Sequence, residues 1–210
     1  MNVKVERSYR KLFWALVLVG ITLDQATKYG VFKWLYNHGQ GDQFVIVDGA
    51  FKLIAQFGTE VAPADGVLAR LRAWSGSTLP KVNHGALFGL GSDYITLANF
   101  VFALISISAA VAIIYWSSRP TTARDPALCV ALGLILAGTL GNLYDRLIFN
   151  GVRDFLYFHW FEFPVFNVAD CCLVCGAFLL LAQAFLHRPV VASEEKTGIA
   201  LTAAAGSAHR

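Results

Sequence analysis

The stretch ITLANFVFALISISAAVAIIYW, Ile95 to Trp116, runs through 22 residues without a charge. A helix needs about 20 mostly apolar residues to cross a bilayer, because hydrocarbon offers backbone groups no partner outside the helix itself. This run meets that length outright and sets the class of the chain. Of 210 residues, 56% are hydrophobic and 15% charged, against roughly 25% charged in a soluble domain. Working outward, apolar runs recur at Leu12 to Leu23, Ala127 to Leu143 and Cys171 to Leu186. Each is short as an uncharged stretch and reaches spanning length by taking in one polar turn: Asp24 to Lys28, Asn142 to Arg146 or Asn167 to Asp170. The expectation is an all-α membrane protein with four transmembrane helices, over about 12–31, 95–116, 127–148 and 167–187.

The basic residues orient those helices. Lys4, Arg7, Arg10 and Lys11 precede the first run, Arg119 and Arg124 separate the second from the third, and Arg188 and Lys196 follow the fourth. Lys and Arg collect on the cytoplasmic side of membrane helices, which makes residues 1–11 and 188–210 cytoplasmic and turns residues 30–94 and 147–169 outward. The polar turns of helices one, three and four then share the outer membrane face. The basic start and apolar core resemble a signal peptide, but no small-residue cleavage site follows and Asp24 to Lys28 continues the helical pattern, so the segment reads as a retained span. Residues 188–210, with Ser193-Glu194-Glu195-Lys196 and an Ala/Gly/Ser finish, read as a disordered tail. The net charge of +3 sits largely in the cytoplasmic flanks, and no basic cluster interleaved with aromatics points to nucleic acid. Cys129, Cys171, Cys172 and Cys175 all fall inside expected spans, where cysteine acts as a small apolar residue. Neither a disulfide framework nor a metal or other cofactor is expected.

The outer segment of about 40–94 carries a β signature. Gln43 to Val47 and Ala50 to Phe57 flank Asp48-Gly49, a dipeptide suited to a tight hairpin because both positions tolerate positive φ. A small β-rich outer domain, cradle-like over the membrane face, is the expectation. Thr59 to Pro80 reads as an insertion in it, with an amphipathic helix over Val67 to Trp74 that either lies on headgroups or packs on the outer domain. Asp125-Pro126 reads as the start of the third span, with Asp as cap and Pro at the first helical position.

Two aspartates flank the second outer loop: Asp154, in Gly151-Val152-Arg153-Asp154-Phe155, and Asp170, in Phe166-Asn167-Val168-Ala169-Asp170. A carboxylate beside a span is costly and is read first as functional. The 16 residues between them allow a loop that brings the two together. Two close carboxylates do not readily both ionise, so the pair holds a shared proton; one member activates water and the other protonates a scissile carbonyl oxygen. Asp154 has no evident local partner except Arg153, whose side chain need not point the same way. Asp24 and Lys28, four apart on a helix, form either a structural ion pair or a substrate contact. Asn83 and Gly85 form either a turn or an amide that holds substrate backbone. Asp145 and Arg146, one turn after Asn142, suit a structural contact between neighbouring charges. Gly138 and Gly141 suit close helix approach in lipid. His38, His84 and His159 have no serine in a nucleophile-elbow context to serve. A transporter with an ion path through Asp24, Lys28, Asp154 and Asp170 is the rival reading; it calls for charge in mid-bilayer, whereas these charges gather at one face. A peptidase-like binding protein is a third, and it calls for a broken dyad.

Taken in order, Asp24-Gln25-Ala26-Thr27-Lys28, Asn83-His84-Gly85-Ala86-Leu87-Phe88, Gly138-Thr139-Leu140-Gly141-Asn142-Leu143-Tyr144-Asp145-Arg146, Val152-Arg153-Asp154-Phe155 and Phe166-Asn167-Val168-Ala169-Asp170 resemble lipoprotein signal peptidase, also called signal peptidase II. The likeness covers about residues 10–187. It implies a metal-independent aspartic endopeptidase of the bacterial inner membrane, sensitive to the cyclic peptide globomycin. Such an enzyme removes the signal peptide from prolipoproteins by cutting before the diacylglyceryl-modified cysteine. The resemblance maps the catalytic aspartates onto Asp154 and Asp170. It makes Asn83, Asn142, Arg146, Asn167, Ala169 and Gly138 substrate-binding or dyad-orienting, and Asp24, Lys28, Asp145 and Gly85 structural or supporting. The partners implied are lipidated prolipoproteins and membrane lipids, with the chain a monomer. Three departures stand out: His84 replaces a threonine-like residue, Ala137 stands where a second glycine often sits, and Thr59 to Pro80 is extra.

Overall fold

The computed structural model describes residues 7–61, 71–72, 77–85, 95–161 and 163–186. Four long helices carry it: α1 (Arg10–Trp34), α2 (Ile95–Ser118), α4 (Pro126–Phe149) and α5 (Val168–Leu186), with a one-turn helix α3 (Pro120–Ala123) between the second and third of them. Five short strands, β1 (Asp42–Val47), β2 (Phe51–Ala55), β3 (Phe57–Val61), β4 (Thr78–Pro80) and β5 (Leu156–Phe158), complete the set among the described residues. Residues 1–180 form one compact unit; the end of α5 from Leu181 belongs to a second, otherwise outside the described residues. The tail expected over 188–210 lies outside them too, as does most of the helix expected over Val67 to Trp74.

Among the described residues, three helices are long and apolar enough to cross a membrane: Thr96–Ser118, Pro126–Phe149 and Val168–Leu186. The remaining long helix, α1, has 25 residues and so runs about 37 Å, but Asp24, Gln25 and Lys28 dilute its C-terminal half. Two of these, Asp24 and Lys28, are fully buried, so the polarity faces protein. Leu18, Val19 and Leu23 on α1, Phe100, Ile105 and Val111 on α2, and Val174 and Phe178 on α5 are all exposed. That is the inverse of a soluble bundle and suits helices solvated by acyl chains.

Between the helices the packing is close. Phe13 and Val17 of α1 meet Cys129, Leu132 and Leu136 of α4, with Ala110 and Ile113 of α2 closing the cluster. Gly20 admits Ala137, whose Cβ would lie 2.6 Å from any Cβ there, so the alanine at 137 is where α1 and α4 touch. At Gly138 a side chain would collide with the carbonyl of Ala169 on α5, and at Gly141 with the Asp24 carboxylate, 2.6 Å away. Without a hydrophobic drive between helices in lipid, such small-residue contacts supply the dispersion that holds them. The start of α4 is capped as its sequence suggests: Asp125 accepts from the Ala127 and Leu128 amides at 2.9 and 3.1 Å, with Pro126 at the first position.

The strands form two small antiparallel sheets, β1-β2-β5 and β3-β4. The first contains the expected hairpin, turning at Asp48 and Gly49, where Gly49 takes φ +70°. The segment 59–80, expected to be an insertion, contributes β3 beyond Thr59 and all of β4. A second cluster, Phe32, Leu35, Ala55 and Phe155, joins the end of α1 to this sheet. Phe155 therefore anchors the loop that carries Asp154.

Candidate active site

Asp170 sits in the first turn of α5, and Asn167 caps that helix. The Asn167 Oδ1 accepts from the Asp170 amide at 3.0 Å, while Asp170 Oδ2 accepts from the Asn167 amide at 3.2 Å. This reciprocal box satisfies two of the free amides at the helix start and holds the carboxylate over its positive end. The other oxygen, Oδ1, accepts from Asn142 Nδ2 at 2.8 Å.

Asp154 comes to the same place from the loop. Its Oδ1 accepts from Asn167 Nδ2 at 2.7 Å and its Oδ2 from Asn83 Nδ2 at 2.9 Å. Asn167, itself fully buried, thus binds both aspartates at once and also donates to Asn142 Oδ1 at 3.2 Å. Burial pushes the Asp154 carboxyl from 3.8 up to about 6; the Asn83 and Asn167 hydrogen bonds and Lys28 pull the other way, and the charge of Asp170 adds to the rise. A cavity of about 280 Å³ opens beside Asp154, lined by Asn83, Ile54, Gln56, Lys81, Val82, Pro164 and Val165. Asn83 reaches it because its backbone pairs with Val152 at 2.7 and 2.8 Å. Its Oδ1 caps the Gly85 amide at 2.9 Å, and Gly85 takes φ +85° with a ring edge of Phe102 where a Cβ would stand. His84 leans away, its Nδ1 2.8 Å from the Asn150 carbonyl.

Beneath the aspartates lies a buried charge cluster. Lys28 Nζ is 2.9 Å from Asp24 Oδ2, 3.2 Å from Asn142 Oδ1 and 3.5 Å from Asp145 Oδ2. Asp24 Oδ1 accepts from the Ala169 amide at 2.9 Å, which ties α1 to the start of α5. Asp145 pairs with Arg153, at 2.8 and 3.2 Å, and not with the adjacent Arg146. Consecutive helical residues point about 100° apart, whereas the loop returns Arg153 onto the face that Asp145 presents. Arg146 instead donates to the Asn142 carbonyl at 3.3 Å and lies over the Phe102 ring at 5.4 Å. Gly138 and Ala169 touch neither carboxylate through a side chain; they set how closely α4 and α5 approach.

Two participants, Gln25 and Asn99, escaped the sequence reading, and a third, Arg153, takes a partner other than Asp154. Gln25 donates to Asp24, the Gly141 carbonyl and Asp145 at 2.9, 3.1 and 3.3 Å. Arg153 turns toward Asp145 and away from its neighbour Asp154. On α2, Asn99 donates to the Arg146 carbonyl and to Asn150 Oδ1 at 3.2 and 2.9 Å, covering the end of α4. An asparagine inside an apolar run was the available signal for the last, since a buried amide in lipid needs a partner.

Residues 16–186 match the family model described as Signal peptidase (SPase) II. The chain belongs to the signal peptidase II family. The lipoprotein signal peptidase of Rhodopirellula baltica is 37% identical over 189 residues, which cover 83% of this chain and 71% of that protein. That of Pseudomonas fluorescens is 32% identical over 164 residues, 77% of this chain and 92% of the relative. A bacterial membrane enzyme solved by the in meso method at 1.9 Å superposes with a TM-score of 0.65 at 22% identity, covering 87% of this chain and 98% of its own; at that identity the likeness speaks to the fold. As a signal peptidase II, the chain is an aspartic endopeptidase of the bacterial inner membrane that cleaves signal peptides from prolipoproteins. Family membership also decides against the transporter and the inactive binding protein.

Proposed function

We propose that Asp154 and Asp170 are the catalytic dyad, and that they hydrolyse the peptide bond preceding a diacylglyceryl-modified cysteine. The observation that carries this is the buried Asn167, whose side-chain Nδ2 donates to Asp154 Oδ1 and whose backbone N–H donates to Asp170 Oδ2. Asp154, pushed up to about 6, holds the proton and gives it to the scissile carbonyl oxygen. Asp170, over the helix start and with two donors, carries the negative charge and draws a proton from the attacking water. Asn83 and Asn142 orient the dyad, each donating one amide N–H to one carboxylate. Arg146 lies one turn beyond Asn142, where it meets substrate carbonyls.

In this reading α1 is the fourth span, since its polar residues are turned into the protein and its remaining faces are apolar. Both termini are cytoplasmic and the dyad lies at the outer face, where the two sheets form a cradle for the precursor. Acyl chains of the lipidated cysteine stay in the bilayer against the exposed helix faces, so the scissile bond arrives at interface depth. The protein acts as a monomer.

Asp154→Asn and Asp170→Asn are each expected to abolish cleavage of a lipidated precursor in proteoliposomes while the chain still inserts. Full activity of either variant would overturn the assignment. An unlipidated precursor is expected to be cut far more slowly; equal rates would remove the role given to the acyl chains.

A further inference from the structure

Arg153 is 1% exposed, and it is the largest fully buried side chain among the described residues. Its guanidinium makes a fork on Asp145, with Nη2 on Oδ1 at 2.8 Å and Nε on Oδ2 at 3.2 Å, while its own backbone amide donates to Oδ2 at 2.9 Å. Nη2 also reaches Gln25 Oε1 at 2.9 Å. The guanidinium carbon lies over two rings, 4.1 Å from the centroid of Tyr29 and 3.9 Å from that of Phe149. One side chain therefore binds α1 through Gln25 and Tyr29, and α4 through Asp145 and Phe149. Nothing in that set touches the cavity.

The residue that follows is Asp154. Both of its chain neighbours are buried, Arg153 at 1% and Phe155 at 2% exposure, so the two pegs leave the aspartate between them little freedom. Phe155 is held by packing, which tolerates small shifts. The Arg153 fork, a pair of parallel charge-assisted bonds with fixed geometry, does not. Asp145, the anchor of that fork, is rigidly placed in turn, because Lys28 lies 3.5 Å from it and Lys28 also binds Asn142, the residue that holds Asp170.

We propose that Arg153 is a positioning residue for Asp154: its clamp on Asp145, Gln25 and the two rings sets the distance and angle at which Asp154 meets Asp170. This rests on the dyad assignment above. A misplacement of about 1 Å at a reacting group costs on the order of 10²-fold in rate. Loss of the clamp therefore lowers kcat and leaves KM nearly unchanged, because the substrate is bound elsewhere.

The test uses the full-length enzyme in proteoliposomes with a lipidated precursor. Arg153→Lys keeps the charge and loses the fork and the stack; kcat is expected to fall about 10–100-fold with KM within about twofold. Arg153→Met is expected to fall further. In the pH profile of kcat/KM, the limb belonging to Asp154 moves in both variants, because the Asn83 and Asn167 bonds to it loosen. The other charged groups around Asp154, namely Asp170, Lys28 and Arg146, are untouched. A merely structural role would lower the yield of folded enzyme and leave kcat per folded molecule and the limb where they are; that outcome overturns the proposal. Asp154→Asn is run beside them. If it stays active, the dyad assignment fails; if it is dead while Arg153→Lys matches the native enzyme, only the clamp fails.

Discussion

Asp154 is where burial becomes chemistry. In water its carboxyl would hold almost no proton at neutral pH; here burial lifts it to about 6, which keeps about a tenth of the molecules protonated at pH 7, and donation to a carbonyl or leaving group needs that form. The sign follows: kcat/KM is expected to fall as pH rises through about 6, since the free enzyme then loses the proton it must give. The same limb in kcat is expected at higher pH, because bound substrate excludes more water from the carboxyl. Paired pH profiles of the two parameters check both statements. At Asn167, replacement by Ala removes the Nδ2 bond to the Asp154 carboxylate and the Oδ1 bond to the Asp170 amide, and a loss of about 10²-fold in kcat is expected. Asn167→Ala also takes away the α5 cap, so thermal unfolding is measured alongside.

At the scale of the element, the contact of α4 with α5 is decided by Gly138. A Cβ there meets the Ala169 carbonyl and, at 2.8 Å, the Leu173 side chain. Gly138→Val is expected to destabilise the protein by about 1–3 kcal/mol through overpacking, read as a lowered unfolding temperature in detergent, with activity lost in proportion. The reason is geometric: α5 must shift, and it carries Asp170 in its first turn. The two members of the proposed dyad are therefore held differently. Asp170 is set by a helix start that its own local sequence encodes, Asn167 and Asp170 three apart as cap and N3. Asp154 is set by a loop pinned to distant elements.

Across the whole molecule, four buried charges form a neutral set: Asp24, Lys28, Asp145 and Arg153. Breaking such a set leaves an uncompensated charge, which costs about 3–5 kcal/mol when buried. Lys28→Met is expected to lower the folded yield in membranes by that route, as measured by protease resistance and unfolding in detergent. Orientation is also a property of the whole chain. Reporter fusions at the N-terminus and in the β1–β2 turn are expected to report opposite sides of the membrane; reporters on the same side would refute the proposed topology.

The residues themselves made much of this legible. Apolar length determined the membrane class, because a lipid-buried backbone has no other solution. The order of five polar blocks pointed to the signal peptidase II family, and Asn167-Val168-Ala169-Asp170 encodes its own helix cap. Asp48-Gly49 encoded a hairpin turn through its positive-φ tolerance. The partner of Asp145 was not legible: adjacency suggested Arg146, and the loop supplied Arg153. Neither was the place of Gln25 and Asn99, because a hydrogen bond between residues more than forty positions apart is specified by how helices cross and leaves no local pattern. What the tertiary structure alone decided is which carboxylates share a buried partner. Spacing allowed Asp24, Asp145, Asp154 and Asp170 near one face; packing gave cations to the first two and left the last two sharing an asparagine beside an open cavity.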